Sequence, residues 1–117
     1  MIRGELLPEI KLAVPTKEGG GIDDVVSDVF GRAKTFTIVD IEGKEVKKVE
    51  VIQNPAASYK HGAGPIAVKT LIDMRVNTVV AGEFRPGVST LLEQFNMEKV
   101  EVERGTLVTE AIKQFLE

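Results

Sequence analysis

His61 is the only histidine in this chain of 117 residues, and there is no cysteine. Disulfides, thiolate nucleophiles, Cys-based zinc sites and a permanently bound Cys-ligated cluster are therefore excluded. A site built from several histidines of one chain is excluded as well. A metal would need His61 together with carboxylates, exogenous ligands or a second subunit. His61 stands in Tyr59-Lys60-His61-Gly62-Ala63-Gly64-Pro65-Ile66-Ala67-Val68, a glycine-rich turn that feeds a helix. Pro65 suits the first helical position, where a missing N–H costs nothing. The apolar run Ile66, Ala67, Val68, Leu71, Ile72, Met74 suits a helix buried over much of its surface. Such a start aims backbone N–H groups and the positive end of the helix dipole at one spot, a place for an anion or an electron-rich ligand. His61 is thus a candidate metal ligand or, more simply, a cap or loop hydrogen-bonding group. Gly62 and Gly64 are candidates for close backbone approach to what is bound.

Other groups that could share the chemistry are scattered along the chain. Arg32, in Phe30-Gly31-Arg32, could bind an anionic cluster or a phosphate, or only fix the corner at Phe30 and Gly31. Phe30 reads as core. Gly31 is free to take a positive φ, and Thr16, Gly31 and Gly82 join the candidate binding residues. Arg85 is a weaker candidate, and Gly82 and Gly87 read as backbone requirements. Nuclease chemistry needs several carboxylates converging on metal ions, yet Ile10-Lys11-Leu12-Ala13-Val14 carries none and Glu83 stands alone at the end of Thr78-Val79-Val80-Ala81. Ser27, Ser58 and Ser89 lie in no nucleophile elbow. The chain reads as a binding protein, not an enzyme.

Composition sets the frame for these residues. The chain is 43% hydrophobic and 28% charged, with eleven glycines and five prolines, as expected of one domain spanning 1–117 with a real core. A net charge of −3 without a basic cluster makes nucleic acid a poor partner. No apolar run is long enough to span a bilayer, and Met1 to Pro8 lacks the pattern of a signal peptide. A cytoplasmic protein is expected, with residues 1–8 as a flexible or edge leader.

The elements follow from periodicity. Ile10 to Val14 alternates as a first strand ending at Pro15. Thr16 to Gly21 is a glycine-rich loop expected to be mobile and solvated, or to act as a lid. Val25, Val26, Val29 and Phe30 fit either a short helical turn or a hairpin corner. Thr35 to Ile41 and Glu45 to Ile52 form an antiparallel hairpin, with Lys47 and Lys48 suited to an edge. A helix over Gly64 to Arg75 follows the His61 turn. Next come a short apolar strand Thr78–Ala81, a helix with Val88, Leu91, Leu92 and Phe95 on one stripe, and a strand Lys99–Val102. A last helix has Thr106 as N-cap and buries Val108, Ala111, Ile112 and Phe115.

The order β-β-β-α-β-α-β-α implies a three-layer α/β/α fold with a mixed five-stranded sheet. Right-handed crossovers make strands three, four and five parallel, and strand one points the same way. The loops Thr16–Arg32, Tyr59–Gly64, Gly82–Gly87 and Arg104–Thr106 then share the edge where open α/β sheets bind ligands.

From Lys11 to Phe115 the chain resembles the dinitrogenase iron–molybdenum cofactor biosynthesis family, the NifX-like domain also found at the end of NifB proteins. The carriers are Ala13-Val14-Pro15, Val26-Ser27-Asp28-Val29-Phe30-Gly31-Arg32-Ala33, Asn54-Pro55, His61-Gly62-Ala63-Gly64-Pro65, Val79-Val80-Ala81-Gly82 and Gly105-Thr106-Leu107-Val108-Thr109-Glu110-Ala111. Where many members have a histidine before Phe-Gly-Arg, this chain has Val29. The resemblance implies a ribonuclease H-like fold and transient carriage of an iron–sulfur or iron–molybdenum cofactor precursor. Cluster donor or acceptor proteins are the implied partners, without membrane or nucleic acid, for a monomer or weak homo-oligomer. The other reading is a small-anion or metabolite-binding regulatory module without metal.

Overall fold

The computed structural model describes residues 9–117, so the reading of residues 1–8 as a leader lies outside the described residues. The chain runs β1 (Glu9–Thr16), β2 (Thr35–Glu42), β3 (Glu45–Gln53), α1 (Ala63–Asp73), β4 (Thr78–Ala81), α2 (Pro86–Gln94), β5 (Glu98–Glu101) and α3 (Val108–Leu116). The five strands form one mixed sheet in the order β3-β2-β1-β4-β5. β2 is antiparallel to β1 and β3, while β4 is parallel to β1 and β5. Two reversals followed by two crossovers give this arrangement, as the element order requires.

Side chains on successive strand residues point to opposite faces, and here both faces are covered. Ala13, Phe36, Ile38 and Val79 meet Ala67, Val68 and Leu71 of α1 and Val88 and Leu92 of α2. Leu12, Val14, Val39, Ile41 and Val80 meet Val108, Ala111 and Ile112 of α3. Each fully buried large side chain, such as Phe36 or Leu71, contributes roughly 1.5–3 kcal/mol over its exposed state. The helices therefore sit in two layers around the sheet.

β1 continues through Pro15 to Thr16 instead of ending there. Asn77 N–H donates to the Lys11 carbonyl, so alternation turns the backbone of Lys11, Ala13 and Pro15 toward the β4 side. β4 pairs only with Leu12 and Ala13, so the absent N–H of Pro15 faces no strand. The Pro15 carbonyl is satisfied by Ser27 N–H at 2.8 Å. Residues 22–33, expected as a helical turn or a hairpin corner, are neither. They form a chain of turns with isolated bridges Thr16–Val26 and Val25–Leu107.

This segment also explains the start of α3. Thr106 is not its N-cap: Leu107 is, and the Thr106 hydroxyl donates to the Glu103 carbonyl instead. The first-turn donors Val108 N–H and Thr109 N–H go to the carbonyls of Asp24 and Ile22, at 2.9 and 3.2 Å. Backbone from a distant loop supplies the cap that a side chain was expected to give. The glycine-rich loop before it is likewise tied down. The Asp24 carboxylate accepts from Glu18 N–H and Gly20 N–H, and Gly21 N–H donates to the Thr37 hydroxyl. At the end of α2, Phe95 is the C-cap and is 53% exposed, outside the buried stripe expected for it.

Candidate functional site

α1 begins at Ala63 after Gly62, which has φ 75° and no side-chain cap. This left-handed conformation favours glycine and turns the chain sharply into the helix. Pro65 falls in the first turn, at the third helical residue. The first N–H groups of a helix have no intrahelical acceptor, and those of Ala63 and Gly64 find none among the described residues. α2 begins in the same way, with Arg85 as an N-cap that makes no side-chain bond and Pro86 following it. Two uncapped helix N-termini, those of α1 and α2, border one cavity, whereas the N-terminus of α3 is closed by the 22–24 loop.

The cavity has a volume of about 390 Å³ and opens beyond the carboxyl end of β4. Its walls are the 28–32 segment, Lys60 with Gly62–Pro65, and Glu83, Arg85, Gly87 and Val88. The 28–32 corner is pinned from below. Asn54, 5% exposed, donates through Nδ2 to the carbonyls of Gly31 at 2.9 Å and Ala33 at 2.8 Å, and accepts from Ala56 N–H at 3.0 Å. The buried amide thereby uses its donors and its acceptor, as burial demands. Phe30 packs at 5.4 Å from Phe36 and 6.5 Å from Phe84, centroid to centroid. It is core, as expected, and it also floors the cavity.

The electrostatics of the walls are mixed, with a positive excess. Arg32, Lys60 and Arg85 stand against Asp28 and Glu83, and none of the five is in an ion pair among the described residues. All five are exposed, so they are hydrated and adaptable, not locked. Among the described residues no three His, Asp or Glu side chains gather so as to hold a metal ion.

The residues expected at a site are partly brought together. Gly31, Arg32, Gly62, Gly64, Arg85 and Gly87 line the cavity. Gly31 does not have a positive φ; its place demands a glycine because a Cβ there would meet the backbone of Gly64 at 2.9 Å. His61 is exposed at the rim, between Lys60 and Gly62, and is not part of the lining. Thr16 lies elsewhere: it is fully buried, and its hydroxyl is bonded to Thr35 at 2.6 Å and Thr37 at 3.2 Å. Gly82 is also outside, where it gives room to Arg104, whose Cβ would lie 3.0 Å from a Cβ on Gly82. The 104–106 loop does not reach the cavity either, because it is engaged with Val26. Lys60, Asp28 and Glu83 were not singled out from sequence for this site. The signal for Lys60 is its position beside the His61-Gly62 turn, and that for Asp28 and Glu83 is only that they lie in the Thr16–Arg32 and Gly82–Gly87 loops expected at the shared edge.

The chain belongs to the family described as dinitrogenase iron-molybdenum cofactor, whose model matches residues 9–117. MJ0580, an uncharacterized protein of Methanocaldococcus jannaschii, is 31% identical over 108 residues, covering 92% of this chain and 86% of that protein. The apo form of the orange protein from Desulfovibrio gigas superposes with a TM-score of 0.80 at 28% identity, over 91% of this chain and 86% of that one. A Thermotoga protein provisionally assigned to NifB superposes at 0.73 with 32% identity, over 91% and 86%. The α/β fold with a mixed five-stranded sheet is shared with these structures. Among the described residues, no helix is long and apolar enough to cross a membrane.

Proposed function

We propose that this protein is a non-catalytic carrier that holds an anionic iron–sulfur or iron–molybdenum cofactor precursor in the cavity and passes it on. The observation that carries this reading is the convergence of two uncapped helix N-termini with Arg32, Lys60 and Arg85 around one partly apolar space. Unpaired N–H groups and cations favour a bulky anion in the same way that helix N-termini favour phosphate. Membership of the family supplies the kind of cargo, and the apo form described for the orange protein implies a loaded counterpart in that relative. His61, at the rim, is the one imidazole able to occupy an open coordination position of a cluster already assembled. With no cysteine to enclose the cargo, carriage is transient, and proteins that donate or accept the cluster are the partners.

The test is anaerobic incubation with a cluster precursor followed by desalting and a visible spectrum. The wild type gains absorbance, and Arg32→Gln combined with Lys60→Gln loses most of it. His61→Ala reads the imidazole separately. Equal uptake by the double variant would remove the cavity from consideration.

A second reading has its own support. The cavity presents N–H donors and cations but no gathered metal ligands among the described residues, and such a set serves any small anion. Under this reading the protein is a metabolite-binding regulatory module, and phosphate-bearing ligands raise its melting temperature without iron.

A further inference from the structure

Among the described residues β3 is an outer strand of the sheet with no strand on its far side, and that edge is built to match itself. Along β3, Val46, Val49 and Val51 pair with Ile41, Val39 and Thr37 of β2, on the face that α3 covers further in. The β2 residues are buried, but the three valines are 43%, 38% and 40% exposed. An apolar strip therefore runs along the edge of the sheet.

The backbone direction at this edge can be read from one bond. Asn54 N–H donates to the Lys34 carbonyl at 3.2 Å, one step beyond the Thr35–Gln53 pair. Alternation in an antiparallel ladder then turns the backbone groups of Ile52, Glu50 and Lys48 toward β2 and leaves those of Val49 and Val51 pointing outward. A second antiparallel strand must pair with these outward residues. Opposing Val49 to Val51 would set Glu50 against Glu50, and opposing Lys47 to Val49 would set Lys48 against Lys48; both place like charges face to face. Opposing Val49 to its own copy sets Lys48 against Glu50 twice, in the closely spaced pairs that bond no backbone. Lysines on an edge discourage foreign strands, but here each would find a carboxylate from the same strand of another copy. Within one chain Lys48 already reaches Glu50 at 3.0 Å, so both side chains lie where such an exchange is short.

We propose that β3 is a self-recognition edge: two copies pair antiparallel through β3 about a two-fold axis at Val49, with reciprocal Lys48–Glu50 ion pairs. The result is a continuous ten-stranded sheet whose valine strips lie side by side on one face. The interface is isologous and closes on itself as a dimer. It is separate from the cavity beyond β4 and does not depend on the reading of that cavity.

The experiment is sedimentation equilibrium of the full chain and of charge variants over a wide concentration range. The wild type forms dimers. Lys48→Glu and Glu50→Lys each raise the dimer dissociation constant by roughly tenfold or more, since each makes both ion pairs repulsive. An equimolar mixture of the two variants dimerises again, because every Lys then faces a Glu across the axis, and that recovery also shows that both variants are folded. Wild type that stays monomeric into the millimolar range overturns the proposal. A dimer that ignores the single charge reversals, or variants that fail to recover on mixing, overturns it as well.

Discussion

A Cβ placed on Gly31 would stand 2.9 Å from the backbone nitrogen of Gly64 and 3.0 Å from its Cα. The corner before β2 and the first turn of α1 therefore touch through backbone alone, and this contact fixes the width of the cavity between them. Gly31→Ala cannot be absorbed by a rotamer change and should cost roughly 1–3 kcal/mol, as overpacking does. Gly64→Ala meets only the Cγ2 tip of Val88, at 2.7 Å, which can give way, so it should cost less. Urea denaturation of the two variants checks the order; equal losses would show that the backbone contact is not limiting.

Removing the Asn54 amide should be among the costliest single changes near the cavity. Asn54→Ala leaves the buried Ala33 carbonyl, the partly buried Gly31 carbonyl and the Ala56 N–H without this partner, and we expect a loss of about 2–4 kcal/mol. Asn54→Asp keeps the shape but turns an acceptor toward the carbonyls of Gly31 and Ala33, so it should not rescue. Chemical denaturation reads the stability. Slow hydrogen exchange retained at Ala33 in Asn54→Ala would contradict the clamp.

Two residues in the same unusual backbone region should respond in opposite directions. Gly62 has φ 75° with open space where a Cβ would go, so Gly62→Ala should cost about 1 kcal/mol from backbone strain alone. Arg75, which ends α1 at φ 66°, already bears that strain, and Arg75→Gly should gain about 0.5 kcal/mol as a better helix terminus. Thermal melts of the two proteins give the signs.

Anion affinity should follow the sign of each wall charge. Arg32→Gln or Lys60→Gln should weaken binding of inorganic phosphate, and Glu83→Gln should strengthen it, each by roughly threefold to tenfold at these exposed positions. Titration calorimetry at low and high salt should show the differences shrinking as screening grows. An unchanged affinity in all three variants would place the anion elsewhere.

Much of the fold is written in local patterns. The β-branched run Thr35–Ile41 and the Glu42-Gly43-Lys44 turn announce a hairpin, and the stripes of Val88 with Leu92 and Val108 with Ile112 announce helices against a sheet. What escapes a local reading is decided by distant partners. Pro15 stays inside β1 because β4 stops short of it. Thr106 caps nothing because carbonyls some eighty residues earlier in the chain take the first N–H groups of α3. Phe95 matches the helical period but comes one residue after α2 ends. For the cavity lining, Gly31, Gly62, Gly64 and Arg32 are legible because their types carry geometry or charge. Thr16 and Gly82 do not line the cavity, since a shared edge does not say which helix layer a loop joins. Asn54 was visible as a strand stop, but its role as a buried clamp depends on where Gly31 and Ala33 come to rest.

The 22–28 segment, which caps α3, leads directly into the corner that walls the cavity. During synthesis the carbonyls of Ile22 and Asp24 wait for donors made some eighty residues later, so until α3 docks this side of the wall is held only through β1, by Ser27 N–H on the Pro15 carbonyl and Lys17 N–H on that of Val25. A segment near β1 is thus fully secured only by a helix made much later. A stalled chain lacking α3 should be cut by protease within residues 22–30 far faster than the finished protein. The cavity wall therefore gains its last support only after α3 has docked.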